Sequence, residues 1–328
     1  MQLKPDAPQL TWQGAISLQH TEDWIMPWRT PHSAHVLFPD PLLERSAMPA
    51  GVRISFRSNT TQVSGNIVPQ NDSGMLDLCC NGELIDAIDL KQMDSFTFEN
   101  LSNEEKLIEL WLPQFGRFQL RSLEIDDDAT LEPFTDTRPR WITYGSSITQ
   151  CRTAASPTQT WPAIVARAHG LNLTCLGYGG QCHLDAMVAR MIRDTPADYI
   201  SMCLGINIQG ASSLGQRTFR PAIIGAVQIV REKHPDIPIV LMSPICCPPR
   251  EENPNTVGFH LKGMREEVQA AAEALQAHGD QQVHYVDGLS VFGADFVHLL
   301  PDDLHPDAEG YRVMGQNFTT VVAEKFFV

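Results

Sequence analysis

Apolar positions recur with a period of two through the first 130 or so residues. In "GVRISFRS" Val52, Ile54 and Phe56 alternate with Arg53, Ser55 and Arg57, the pattern of a half-buried strand. "MLDLCCNGELIDAIDL" sets Asn81-Gly82 between two strand-like runs, and that dipeptide is a strong hairpin signal because both residues tolerate positive φ. "DSFTFEN", "KLIELWLP" and "RFQLRSLEID" continue the series, and no segment carries a long helical stripe. The pattern predicts an all-β sandwich over residues 1–133.

The period changes after "DDDATLEPFTDTRPR", an acidic, proline-bearing linker. From residue 134 to 328 the strand-like runs "RWITYG", "LNLTCLGY", "DYISMCLG", "IPIVLMSP" and "VHYVDGLS" alternate with helical segments. "TWPAIVARAHG" puts Trp161, Ile164, Val165 and Ala168 on one face and ends at Gly170, a fitting helix stop. "REEVQAAAEALQAHG" and "AEGYRVMGQNFTTVVAEKF" read as further helices. Such alternation predicts an α/β domain, a parallel sheet covered by helices on both faces, with ligands bound beyond the carboxyl ends of the strands.

The formal net charge of −15 makes nucleic acid and anionic membrane surfaces poor partners. The first 133 residues hold 9 basic and 20 acidic groups, so the front domain is the more acidic of the two. No apolar run reaches the roughly 18–20 residues that span a bilayer, and the opening residues show no visible secretory signal pattern. The expected compartment is cytoplasmic, and the eight cysteines read as reduced thiols. No CxxC or HExxH pattern occurs, so neither a metal site nor an organic cofactor is expected.

"WITYGSSITQC" ends a strand-like run in a glycine and two serines. Core building does not need hydroxyls there, but a nucleophile at a strand end does. A serine hydroxyl needs a base, and the base an orienting acid. "LLPDDLHPDAEGY" supplies Asp302 and His305, three residues apart, a spacing that can place both on one side of a tight turn. Two further strand ends offer donors for an oxyanion: the Gly180 N–H in "CLGYGGQC" and the Asn207 amide in "LGIN", beside the Ser147 N–H. His183 in "GQCHLD" lies next to that loop and reads as a pocket or capping residue before a second base. The loop "CCPPREENPNTVGFH" has the length of a lid or an oligomer contact, so a homo-oligomer stays open. In "EDWIMPWRTPHSAH" the cluster of Trp24, Trp28, His32 and His35 reads as packing before a sugar platform.

These four segments, in this order and spacing, resemble the four blocks of the SGNH (GDSL-type) serine hydrolases over about residues 138–328. The resemblance implies a flavodoxin-like three-layer α/β/α domain with Ser147, rather than Ser146, as nucleophile. It further implies Asp302 and His305 as the rest of the triad, and Ser147, Gly180 and Asn207 as the oxyanion hole. Ser146, Cys175 and Ile208 stand where the family usually has Asp, Asn and Asp. The front domain resembles the jelly-roll-like, carbohydrate-binding-like module of a branch of esterases and acyltransferases. The expectation is a serine esterase cleaving short, acetyl-type esters of a sugar or small metabolite and releasing free acid. Two alternatives stand beside it: an acyltransferase passing the acyl group to an alcohol, and a carbohydrate-binding protein with an inactive hydrolase domain. The complete Ser, Gly, Asn, Asp and His set counts against the last.

Overall fold

The computed structural model describes residues 1–327, which divide into two compact units. The first holds residues 1–138 with the short segments 155–159 and 172–174; the second holds the rest.

The first unit is a sandwich of two antiparallel sheets. One is ordered Ser17–His20, Ile25–Trp28, Leu120–Ile125, Val63–Ile67, Ser95–Phe98; the other Glu132–Pro133, Arg53–Ser58, Lys106–Trp111, Met75–Cys80, Glu83–Asp89. Register explains the core: Phe56 faces Ile108, Ile54 faces Leu110, and Leu110 faces Leu78, so apolar side chains line one face. The Asn81-Gly82 hairpin forms with both residues at positive φ, between the paired Cys80 and Glu83.

Two expectations need correction here. Arg53 and Ser55, the polar half of an alternating strand, are fully buried rather than half-exposed. Their face carries its own polar network: Ser55 Oγ donates to Gln13 Oε1 at 2.8 Å. Arg53 lies 3.4 Å from both Glu109 and Asp136, and Arg138 reaches the same two carboxylates at 3.1 and 2.7 Å. Two cations and two anions balance, which is what lets them stay buried. Burial lowers the Arg53 guanidinium to about 10, so it remains charged at neutral pH. The second correction is a helix at Asp40–Ser46, too short to print a stripe in the sequence.

The second unit is built on five parallel strands: β1 (Arg140–Gly145), β2 (Asn172–Gly177), β3 (Tyr199–Cys203), β4 (Ile239–Met242) and β5 (Val283–Val286). Their order is β2-β1-β3-β4-β5. The main helices are α1 (Ser147–Gln150), α2 (Trp161–Ala168), α3 (Ala186–Asp194), α4 (Ile206–Ala211), α5 (Gln216–Arg231), α6 (Leu261–Ala277) and α7 (Ala308–Phe318). α2 packs on α7, while α3, α5 and α6 pack in series. Right-handed crossovers in this strand order put the two groups on opposite faces, giving three α/β/α layers. The chain reverses its direction of travel across the sheet at β1, so a crevice opens beside the end of that strand. Among the described residues no helix is long and apolar enough to cross a membrane.

Candidate active site

β1 is buried from Trp141 to Gly145, and its chain turns at once into the four-residue helix α1. Ser146 is the N-cap: its Oγ accepts from the Ile148 N–H at 3.2 Å, so it is 2% exposed and occupied. Ser147 is the first helical residue and half-buried. Its N–H is one of the orphan donors every helix start leaves, and it has no partner among the described residues.

Ser147, Gly180 and Asn207 lie two, three and four residues past the ends of the adjacent strands β1, β2 and β3. Gly180 has φ +74, a left-handed value, and a side chain there would meet nothing within 4 Å. Gly177 serves a different need: a Cβ on it would stand 2.3 Å from the Gln150 nitrogen, so the backbones of the two loops touch. The Asn207 Oδ1 accepts the Cys182 N–H at 3.0 Å. That bond fixes the amide, leaving its NH₂ as the free end.

Asp302 and His305 sit in the turn before α7. Asp302 Oδ1 accepts the backbone N–H groups of His305 (2.6 Å) and Leu304 (3.1 Å), with Asp303 between them at φ +59. Asp tolerates that conformation, and the carboxylate-to-backbone bonds shape the turn. Oδ2 takes the His305 Nδ1 at 2.7 Å, and His305 Nε2 lies 2.8 Å from Ser147 Oγ. Burial pushes the Asp302 carboxyl up, but the hydrogen bonds from the His305 ring and backbone outweigh it and hold the group below the usual range. An ionised carboxylate only accepts, so Nδ1 carries the proton and Nε2 presents its lone pair to the serine. The expected D-x-x-H turn thus brings the three side chains into one chain of hydrogen bonds.

His183 is not on that chain. Its Nε2 lies 3.0 Å from the Gly180 carbonyl and its Nδ1 2.9 Å from Ser213 Oγ. The sequence reading did not single out Thr153 or Gln150. Thr153 Oγ1 donates to the Pro306 carbonyl at 2.7 Å, tying the histidine's turn to the segment after α1. Gln150 Oε1 accepts the Gly179 N–H at 2.9 Å. Neither residue type is diagnostic at its position, so only the fold could reveal them. The loop 246–260 is pinned: Glu251 pairs with Arg265 at 2.6 and 2.8 Å, and Asn255 donates to the Gln209 carbonyl at 3.0 Å. Trp28 packs edge-on against His35, with ring centroids 4.3 Å apart. Among the described residues no group of three or more His, Cys, Asp or Glu could hold a metal ion.

Residues 10–121 match the family described as the SsfX3 N-terminal domain, and residues 143–313 match the GDSL-like lipase/acylhydrolase family. No curated protein matches the chain. Among solved structures, a salicylyl-acyltransferase, SsfX3, from a tetracycline biosynthetic pathway is 37% identical, with TM-score 0.92 over 99% of this chain and 97% of its own. Family two carbohydrate esterases share the fold at 14% identity. The one from Cellvibrio japonicus has TM-score 0.67 over 99% of this chain and 97% of its own. The one from Clostridium thermocellum, in complex with cellohexaose, has 0.66 over 96% and 98%.

The expectation of a hydrolytic esterase releasing free acid is corrected by the first of these relatives, an acyltransferase matched over nearly the full length of both chains. The physical reason is that triad and oxyanion donors make an acyl-serine whatever follows; the acceptor, which they do not encode, decides between water and alcohol. With one family matched over residues 143–313 and a relative 37% identical over 99% of this chain, the chain belongs to the GDSL-like lipase/acylhydrolase family.

Proposed function

We propose that this protein is a serine acyltransferase, taking an acyl group from an activated donor and passing it to the hydroxyl of a small-molecule acceptor. The observation that carries the reading is the 37% identity to an acyltransferase across 99% of this chain, joined to the Ser147–His305–Asp302 hydrogen-bond chain. In this reading His305 Nε2 takes the Ser147 proton as Oγ attacks the donor carbonyl. The imidazolium, held by Asp302, returns the proton to the leaving group as the carbonyl bond to it breaks. The acceptor hydroxyl then gives its proton to His305 and attacks the acyl-serine, and the new ester leaves as Ser147 regains its hydrogen. The Ser147 and Gly180 N–H groups and the Asn207 amide meet the oxyanion in both halves.

Transfer wins over hydrolysis where a bound hydroxyl is held in line. Oriented groups reach effective molarities of about 10⁵–10⁸ M, far above bulk water. An aryl acyl group, in line with the salicylyl group of the relative, is the proposed donor moiety. The test supplies aryl and acetyl thioesters with a panel of hydroxylated acceptors and quantifies new ester against free acid. New ester exceeding acid with a matched acceptor is the expected result. Free acid alone, at a rate no acceptor changes, would sink the transferase reading.

A further inference from the structure

We infer that His183 is a positioning residue that aims the Gly180 N–H, acting through the Gly180 carbonyl; the inference rests on the proposed use of that N–H as an oxyanion donor. Gly179 and Gly180 are adjacent, and glycine pairs are the most conformationally free in any chain. Gly180 is exposed, with open space where a side chain would stand, so no packing fixes it. Yet the peptide that carries its N–H is held on both sides. Upstream the Gly179 N–H donates to Gln150 Oε1, from the nucleophile's own helix. Downstream the Gly180 carbonyl meets His183 Nε2 at 3.0 Å.

For the neutral ring, the tautomer follows from its partners. A carbonyl oxygen only accepts, so Nε2 carries the proton, and Nδ1 accepts from the Ser213 hydroxyl. Both nitrogens are engaged, leaving His183 no lone pair with which to act as a second base. Three further anchors keep the segment from sliding. The Gln181 N–H donates to the Tyr178 carbonyl at 2.9 Å, closing a turn around Gly179 and Gly180. The Cys182 N–H is bound to Asn207 Oδ1, and the Leu184 N–H to the Tyr144 hydroxyl, with Leu184 itself at φ +62. Among the described residues, His183 thus makes the one side-chain hydrogen bond placed directly on the residue whose N–H must point correctly, adding to the backbone turn at Gln181. A donor off its line loses transition-state stabilisation while substrate binding is little changed.

The experiment combines kinetics with an NMR signature. A phosphonate adduct on Ser147 puts an anionic oxygen where the oxyanion would lie. In the ¹⁵N-labelled wild-type adduct the Gly180 amide proton should move downfield. His183→Leu should lower kcat on the order of ten-fold, less than the loss of a whole donor, leave KM nearly unchanged, and shrink that downfield shift. His183→Gln, whose side-chain N–H can reach the same carbonyl, should recover most of both. Ser213→Ala, which keeps the ring but removes the partner of Nδ1, should cut kcat several-fold and weaken the shift; it carries the test if the His183 variants fold poorly. A wild-type adduct with no Gly180 shift would overturn the oxyanion reading itself. A full shift retained in His183→Leu or Ser213→Ala, with kcat within two-fold of wild type, would overturn the role of His183 alone.

Discussion

Replacing Asp302 by Asn is more informative than deleting it. Oδ1 of Asp302 accepts two backbone N–H bonds, at 2.6 and 3.1 Å, while Oδ2 accepts the His305 ring at 2.7 Å. In Asp302→Asn the two backbone donors require an oxygen, so the amide oxygen takes the Oδ1 place and the NH₂ faces Nδ1 of His305. Nδ1 then becomes the acceptor, and the neutral ring carries its proton on Nε2, pointed at Ser147. That tautomer cannot take the serine proton. The expected loss in kcat is about 10³–10⁴, or roughly 4–5.5 kcal/mol at 1.36 kcal/mol per ten-fold. Asp302→Ala forces no tautomer, and the carboxylate site is 53% exposed, so water can satisfy the abandoned N–H groups. Alanine is therefore expected to be the more active variant. The assay is the pre-steady-state release of an aryl leaving group, with urea melts to show that both variants are folded. Asn as active as Ala or more so, or Asn retaining above about a tenth of wild-type kcat, would refute the tautomer argument.

Ser147→Ala should abolish turnover and fluorophosphonate labelling, whereas Ser146→Ala should cost about 1 kcal/mol as a lost N-cap and keep activity; labelling at Ser146 would reverse the assignment. Asn207→Ala should lower kcat by about 10²–10³ with a smaller effect on KM, and a rise in KM at constant kcat would make it a binding residue instead. Replacing Arg53 by Met leaves Glu109 and Asp136 facing Arg138 alone, one buried negative charge in excess, and should destabilise the sandwich by about 3–5 kcal/mol in a urea titration; a change near zero would mean the network is neutral. Burial pushes the Asp136 carboxyl up, but the hydrogen bonds and charge of Arg138 and the charge of Arg53 more than offset this and leave it below its ordinary value. A depressed folded pKa means its stabilisation is complete above about pH 4 and is lost as pH falls through the folded value. Asp136→Asn should therefore show a smaller drop in Tm between pH 5 and about pH 3 than the wild type; an equal drop would refute that link.

The sheets were legible because their strands carry their own signature: β1, β3 and β4 are nearly unbroken apolar runs, as strands covered on both faces must be. α5 was not, since Pro221 sits inside it and breaks the usual pattern. α3 is short and starts without a side-chain cap. In the sandwich, alternation marked Arg53 and Ser55 as solvent-facing, because a lone strand cannot show that its polar face will meet Glu109 and Gln13 from elsewhere in the unit. At the site, Ser147 stood out because building a core does not need hydroxyls at a strand end, and Asp302 and His305 because their spacing and the resemblance to the serine-hydrolase blocks set them beside it. Gln150, Thr153 and the bond from His183 to Gly180 did not, being ordinary polar residues whose value lies only in what the fold sets opposite them. The acceptor was beyond reach for the same reason: the triad is identical for water and for alcohol.

The hydrogen bond between Ser147 and His305 closes over 158 residues, and this separation has a consequence during synthesis. At about 5–20 residues per second, a ribosome makes the histidine roughly 8–30 s after the serine. Throughout that interval the nascent chain carries an ordinary hydroxyl, too weak a nucleophile to attack donor esters. Asp302 and His305 then arrive together, already organised by their own local turn. In the proposed mechanism, reactivity switches on only when the last strand and the turn before α7 have joined the sheet. Chains halted before residue 305 would contain Ser147 yet stay unreactive toward a fluorophosphonate, so labelling reports completed molecules rather than total polypeptide.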